Sequence, residues 1–194
     1  CFCGERIFRM NINRDELDKL TLELKDDNLR SAAFSKIVEM LSKPIYWHIR
    51  KMVLSHDDAD DLLQNTFLKA WQALDTFRGD SQIHTWMYKI ASNETLTFLA
   101  QQRMKNTSSS LEMEELLLNN LRADSYFDGD ELQRRLQEAI LTLPEKQRLV
   151  FNMRYYDNIP YEEMAVICNN SVGALKASYH HAVKKIEAIF KEDD

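Results

Sequence analysis

At 194 residues and 44% hydrophobic content, the chain is long enough for one large or two small domains. With only four Gly and three Pro interrupting long periodic stretches, it reads as all-α. No run of about eighteen apolar residues and no secretory leader pattern occurs, so a cytoplasmic protein without membrane insertion is expected. The net charge of −6 argues against a nucleic-acid partner until its distribution is resolved.

The first segment, 1–29, carries five bases and seven acids. Met10 opens the first stretch that reads as an ordinary protein start, so residues 1–9 are expected to be an upstream extension or an added remnant. Cys1 and Cys3 stand too close for an ordinary disulfide, and no His or Cys cluster accompanies them or Cys168, so neither a metal nor a cofactor is expected. Leu17, Leu20 and Leu24 then recur at helical spacing within alternating charge, a short helix whose role is not readable.

Segment 30–105 carries ten bases and eight acids. Ala33, Phe34, Ile37, Val38 and Leu41 form an amphipathic stripe. Pro44 is expected to kink or restart the helix, after which Ile45, Ile49, Met52 and Val53 continue it. Ser55, three residues before Asp58, caps a helix whose buried stripe is expected to be Leu63, Phe67, Ala70 and Leu74, with Leu62 and Trp71 at its edges. Asp61, Gln64, Asn65 and Leu68 are left for a partner. Phe77, Arg78, Gly79, Asp80 and Ser81 make a turn. Ile83, Trp86, Met87 and Ile90 then resume a helical period, with His84, Thr85, Tyr88 and Lys89 directed elsewhere. Rings and cations beside an exposed loop suit unpaired bases and their phosphates, although at least one of Phe77, Trp86 and Tyr88 is expected to be plain core.

Segment 106–131 holds seven acids and one base and is expected to be a linker, so the whole charge excess can be assigned to it. Segment 132–194 is balanced at nine and nine. Leu132, Leu136, Ala139 and Ile140 mark one helix, and Pro144 fits the first turn of a second that buries Leu149, Val150, Met153 and Tyr156. Pro160 opens a short third helix over YEEMAVIC. Cys168, Asn169 and Asn170 form a turn, and Ser171 caps a long last helix, which makes a helix-turn-helix. Two near-neutral blocks of this kind imply modest affinity for free DNA and a need for a larger partner.

DADDLLQNTFLKAW, followed by FRGDSQIHTW and YKIA, strongly resembles domain two of the extracytoplasmic-function sigma factors of bacterial RNA polymerase. LPEKQRLVFNMRYYDNIPYEEMA, followed by SVGALKASYHHAVKKI, is similar to domain four of the same family. The resemblance implies that Asp60, Asp61, Gln64, Asn65, Phe67, Leu68 and Trp71 dock on, or support docking to, the clamp helices of the largest subunit of core RNA polymerase. It implies that Arg78, Gly79, Ser81, His84, Trp86, Lys89, Asn93, Thr97, Gln101 and Arg103 open and read the minus-ten element of promoter DNA. Ser171, Val172, Gly173, Ala174, Lys176, Ser178 and His181 would face the minus-thirty-five element, with Arg148, Arg154, Lys184 and Lys185 on backbone oxygens. An anti-sigma factor is a further partner by analogy, and the acidic linker would thread a basic polymerase channel.

The sequence departs from the family at several positions, among them Asn169, where Gly is common, a change the fold is expected to survive, and Asn170, where an apolar residue is common. Family members often end the helix at residues 101–105 in several Arg, and commonly have Arg where Ser178 and His181 stand, which weakens expected contacts to phosphate and guanine. The residues also suggest two other readings. A metal phosphohydrolase could use the dyad His56–Asp57, but no further ligands stand at a converging spacing and no activated nucleophile motif exists, so no catalytic residue is assigned. A stand-alone dimeric helix-turn-helix regulator explains 132–190 but leaves Phe77 to Lys89 without a role.

Overall fold

The computed structural model describes residues 13–105, 118 and 131–192. The linker segment thus lies almost wholly outside the described residues, as do Cys1, Cys3 and Met10. The described residues form helices and turns with no strand, in the order α1 (Arg14–Glu23), α2 (Arg30–Val53), α3 (His56–Gln72), a 3-10 turn (Leu74–Thr76), α4 (Ile83–Lys105), α5 (Glu131–Leu141), α6 (Glu145–Tyr155), α7 (Tyr161–Cys168) and α8 (Val172–Glu192).

Local chemistry explains most boundaries. Asn13 caps α1 by accepting from the Glu16 N–H, and Ser55 caps α3 by accepting from the Asp58 N–H at 3.2 Å. Leu54 turns left-handed (φ 58°) to end α2, with its N–H closing on the Arg50 carbonyl at 2.9 Å. Of the two expectations for Pro44, a kink or a restart, the restart does not occur: α2 runs through the proline as one helix. Ile37, Leu41, Ile45, Ile49 and Met52 are fully buried on both sides of it, and that burial outweighs the ~3 kcal/mol a helix-interior proline costs.

The buried stripe of α3 is rotated by about one position from the expected one. Ala59, Leu62, Thr66 and Ala70 are buried, while Leu63 and Phe67 are half-buried against the same core. Small side chains at 59, 66 and 70 let α3 approach its neighbours closely, and Thr66 Oγ1 is satisfied by donating to the Leu62 carbonyl at 2.7 Å. Lys69 ties α3 to α4 through Glu94 at 2.6 Å.

Helices α1 to α4 form a first body and α5 to α8 a second, but the two share one core. The larger buried cluster runs from Leu17 and Leu20 through the α2 stripe, Ile83, Met87 and Ala91 to Leu149, Val150, Met153, Met164 and Ile167. A smaller one, with Ala139, Ile140, Phe151, Ala182 and Ile186, joins α5, α6 and α8. Helix α4 is consequently buried on two sides. Tyr88, expected to turn away from the apolar stripe, is fully buried with its ring 4.9 Å from that of His48.

Candidate nucleic-acid and partner interface

The surface of α3 opposite its buried stripe carries Asp61, Gln64, Asn65, Leu68 and Trp71, all exposed, with Asp60 and Phe67 half-buried at the margin. Leu68 keeps 55% and Trp71 41% of its surface exposed. The indole is held in place: Phe34 packs 5.0 Å from it, and the Arg30 guanidinium lies 5.9 Å from its centroid while also bonding Asp75 at 2.5 Å. A fixed aromatic beside exposed Leu and flanking acids is suited to a protein partner. Arg30 and Phe34 belong to this face although only Trp71 was singled out from the sequence. The spacing of α2 placed Phe34 as core, and nothing local connects Arg30 to residue 71.

Beyond the 3-10 turn, Gly79 adopts φ 80°, which only glycine takes without strain, although a Cβ there would meet nothing within 4 Å. Arg78, Gly79 and Ser81 line a cleft of about 560 Å³ whose opposite wall comes from Asp18, Thr21 and Leu22 of α1. Helix α1, unreadable from its sequence, thus completes this cleft. Phe77 packs 5.1 Å from Trp86, which is half-buried. From Trp86, the residues Lys89, Asn93, Thr97 and Gln101 follow at three- and four-residue steps and share one side of α4. Asn93, Thr97 and Gln101 are exposed on that side and Lys89 is half-buried.

Two residues of the expected minus-ten set are placed differently. His84 lies half a helical turn from Asn93, is 3% exposed, and donates from Nε2 to Glu163 Oε2 of α7 at 3.0 Å. Arg103, exposed at the end of α4, pairs with Glu145 of α6.

In the second body α7, the turn and α8 form the expected helix-turn-helix. Asn169 takes the left-handed conformation (φ 48°, ψ 52°), and Ser171 Oγ accepts from the Ala174 N–H at 3.2 Å. Leu175, Ala182 and Ile186 face inward. Ser171, Gly173, Ala174, Lys176, His181, Lys184 and Lys185 are exposed, with Val172 and Ser178 half-buried among them. The half-buried Tyr161 ring lies 5.3 Å from the Arg154 guanidinium and 5.6 Å from Lys176 Nζ. Arg148 does not join this surface, being only 2% exposed. His180 and His181 stand with ring centroids 6.3 Å apart at 76°, an arrangement unlike a shared metal site.

The seam between the bodies is electrostatically matched. Asp157, buried, accepts from His48 Nδ1 at 2.8 Å and from Lys51 Nζ at 2.6 Å, and Ser92 Oγ meets the other nitrogen of His48 at 2.9 Å. Burial pushes the Asp157 carboxyl up, but Lys51 and His48 outweigh it and hold it below its ordinary value. Glu163 is held low by the His84 hydrogen bond first, against partial burial, with Arg14 at 3.1 Å and Thr85 adding to the effect. Burial, with the nearby Asp157 and Glu163 charges, drives the Tyr88 hydroxyl well above its usual range.

Comparison with known proteins places this geometry. Family models for sigma-70 region 2 and sigma-70 region 4 match residues 37–104 and 133–186. The chain is 32% identical over 138 residues to the ECF RNA polymerase sigma-E factor of Salmonella typhimurium, covering 67% of this chain and 72% of that protein. It is 26% identical over 171 residues to the RNA polymerase sigma-H factor of Pseudomonas aeruginosa, covering 80% and 84%. Its fold resembles the sigma factor RpoE solved in complex with the anti-sigma factor NepR from Bartonella quintana. That match has a TM-score of 0.62 at 20% identity and covers 83% of this chain and 98% of the other. CnrH, solved with the cytosolic domain of CnrY, matches with a TM-score of 0.65 at 20% identity, over 95% and 100%.

Proposed function

This chain belongs to the extracytoplasmic-function sigma factors, and from that premise we propose how its surfaces divide the work of directing promoter-specific transcription initiation by bacterial RNA polymerase. Residues 30–105 act as sigma domain two and 132–194 as domain four. The exposed face of α3, with Asp61, Gln64, Leu68 and Trp71, docks on the clamp helices of the polymerase largest subunit. The cleft at Gly79 and the stripe Trp86, Lys89, Asn93, Thr97 and Gln101 take the minus-ten element, unpaired bases first and duplex further along α4. The N-terminal half of α8, from Ser171 to His181, enters the major groove at the minus-thirty-five element, and Arg154, Lys184 and Lys185 meet phosphates.

The observation that carries this reading is the pairing of two faces on one body. An exposed apolar and acidic helix face fits protein, and beside it runs a polar stripe that begins at a glycine-turned cleft. A regulator that bound duplex by itself would need neither. No covalent step is involved: binding energy supplied jointly with polymerase separates the strands. The family comprises initiation factors that are not enzymes, and we assign no catalytic residue here. The similar sigma factor RpoE was solved bound to the anti-sigma factor NepR, and a protein of that kind is the expected regulatory partner.

The test is reconstitution. Purified chain is mixed with core RNA polymerase and promoter fragments, and transcripts and protected bases are mapped. Discrete start sites with protection at both elements support the assignment. Association without any start-site selection overturns it.

A further inference from the structure

We propose that α1 is a reading element of the minus-ten site, in which Asp18 selects an unpaired base that carries an exocyclic amino group and rejects thymine. This rests on the assignment of the Gly79 cleft to unpaired bases, since α1 forms the wall of that cleft opposite the glycine turn.

Helix α1 is fixed in place from its other side. Leu17 and Leu20 are 1% and 3% exposed in the core of the first body, and Leu24, just past the helix end, is buried with them. Asp18, Thr21 and Leu22 stand at three- and four-residue steps on the adjoining side, and all three line the cleft. Asp15 and Glu16 already occupy the first turn, where the helix dipole favours acid. Asp18 stands beyond that turn, so the dipole does not account for it.

The charges along the cleft sort by what an unpaired nucleotide presents. Arg30 and Asp75 pair at 2.5 Å and offset each other. Lys25 and Arg78, both exposed, also line the cleft and suit the phosphates on either side of a nucleotide. Asp18 is the remaining charged group of the lining. A carboxylate repels phosphate, so within this site it is useful only against a base edge. Thr21 Oγ1 donates its one proton to the Leu17 carbonyl at 2.7 Å, which leaves that hydroxyl as an acceptor. The two polar side chains that α1 itself brings to the cleft, Asp18 and Thr21, thus act as acceptors. Cytosine, adenine and guanine each bring an amino donor to such a wall, whereas thymine brings a single N–H flanked by two carbonyl oxygens that the carboxylate repels. Buried Leu74 and Ile83, with half-buried Phe77, supply apolar surface for the ring. At about 560 Å³ the cleft falls within the ~300–1,000 Å³ of sites that enclose a small ligand, enough for one nucleotide.

The test is single-round transcription by core polymerase and the full chain on a promoter library randomised over the minus-ten element, with the productive templates sequenced. The wild type is expected to disfavour thymine about ten-fold at one position, and Asp18→Asn to reduce this to about two-fold at that position alone. Lys25→Ala should lower transcription from all templates alike and leave the base preferences as they are. With the wild-type chain, a promoter whose base at that position lacks its amino group, pyrimidinone for cytosine or purine for adenine, should initiate about ten-fold less well, a comparison that needs no variant to fold. The proposal is overturned if no position disfavours thymine, if a folded Asp18→Asn chain keeps the preference, or if the amino-free base initiates at the full rate. Each of those results leaves the sigma reading standing, whereas the absence of discrete start sites with the wild type removes that reading instead.

Discussion

Asp61 and Gln64 sit one turn apart on the exposed side of α3, next to Leu68 and away from the core that holds the helix. Replacing both with Ala should weaken association with core polymerase at least ~ten-fold, as expected when polar contacts flanking an apolar anchor are lost. The melting curve of the free protein should be unchanged. Pull-down of core enzyme at equal protein concentration reads the effect, and undiminished capture would count against this docking face. Burial drives the Cys168 thiol up to about 11. Its alkylation by iodoacetamide at pH 8 should therefore be slow in the native chain and fast in denaturant, as followed by mass spectrometry of the peptide spanning 161–176. Equal rates in both states would contradict that burial. At this scale, legibility tracked distance along the chain. Gln64 and Leu68 were identifiable because helical spacing alone sets them off from the buried side, whereas Trp71, which spacing puts at the edge of that side, enters through the family resemblance. Asp157 and Glu163 were not, because their partners His48 and His84 stand 109 and 79 residues away, and nothing local distinguishes them from solvated acids.

Caps and turns carry the information at the scale of elements. Ser55 and Ser171 were readable as caps because a hydroxyl at that position has a backbone N–H three residues on to accept from, and both bonds form. Ser171→Ala should lower the stability of the second body by ~1 kcal/mol, a shift of a few degrees in melting temperature. An unchanged melting temperature would mean that α8 starts elsewhere. Lys176→Ala, five residues further on, should reduce transcription from promoters with a strong minus-thirty-five element while leaving core association intact. Equal loss at promoters lacking that element would move the reading face. Two features at this scale were not legible in the sequence, for one reason. The continuity of α2 through Pro44 and the second buried side of α4 are both decided by what packs against the helix, and a periodicity reads one face at a time.

At the scale of the molecule, two bodies were legible and their closure was not. Spacing marks Leu149 and Met153 as buried without saying against what, and they are buried, with Met164, together with the α2 stripe. The seam also has a pH signature. Asp157 faces Lys51 and His48, with Tyr88 nearby, and Glu163 faces His84, Thr85 and Arg14. Both carboxyls are held below their ordinary values, so their contribution to closure is complete above the open-state range near pH ~4 to 4.5 and fades as pH falls through the depressed values. Scattering profiles at pH 7 and pH 5 should superimpose, and opening on acidification should begin only below that range. Opening between pH 5 and 8 would contradict the assignment of these two groups.

The most direct measurement is single-round transcription by core RNA polymerase with and without the purified chain, on genomic fragments, with start sites mapped. The expected result is a small set of discrete starts that appear only with the chain, each preceded by protected bases at two elements about 25 base pairs apart. A chain that leaves core polymerase unengaged and instead holds a palindromic duplex as a dimer would contradict the account.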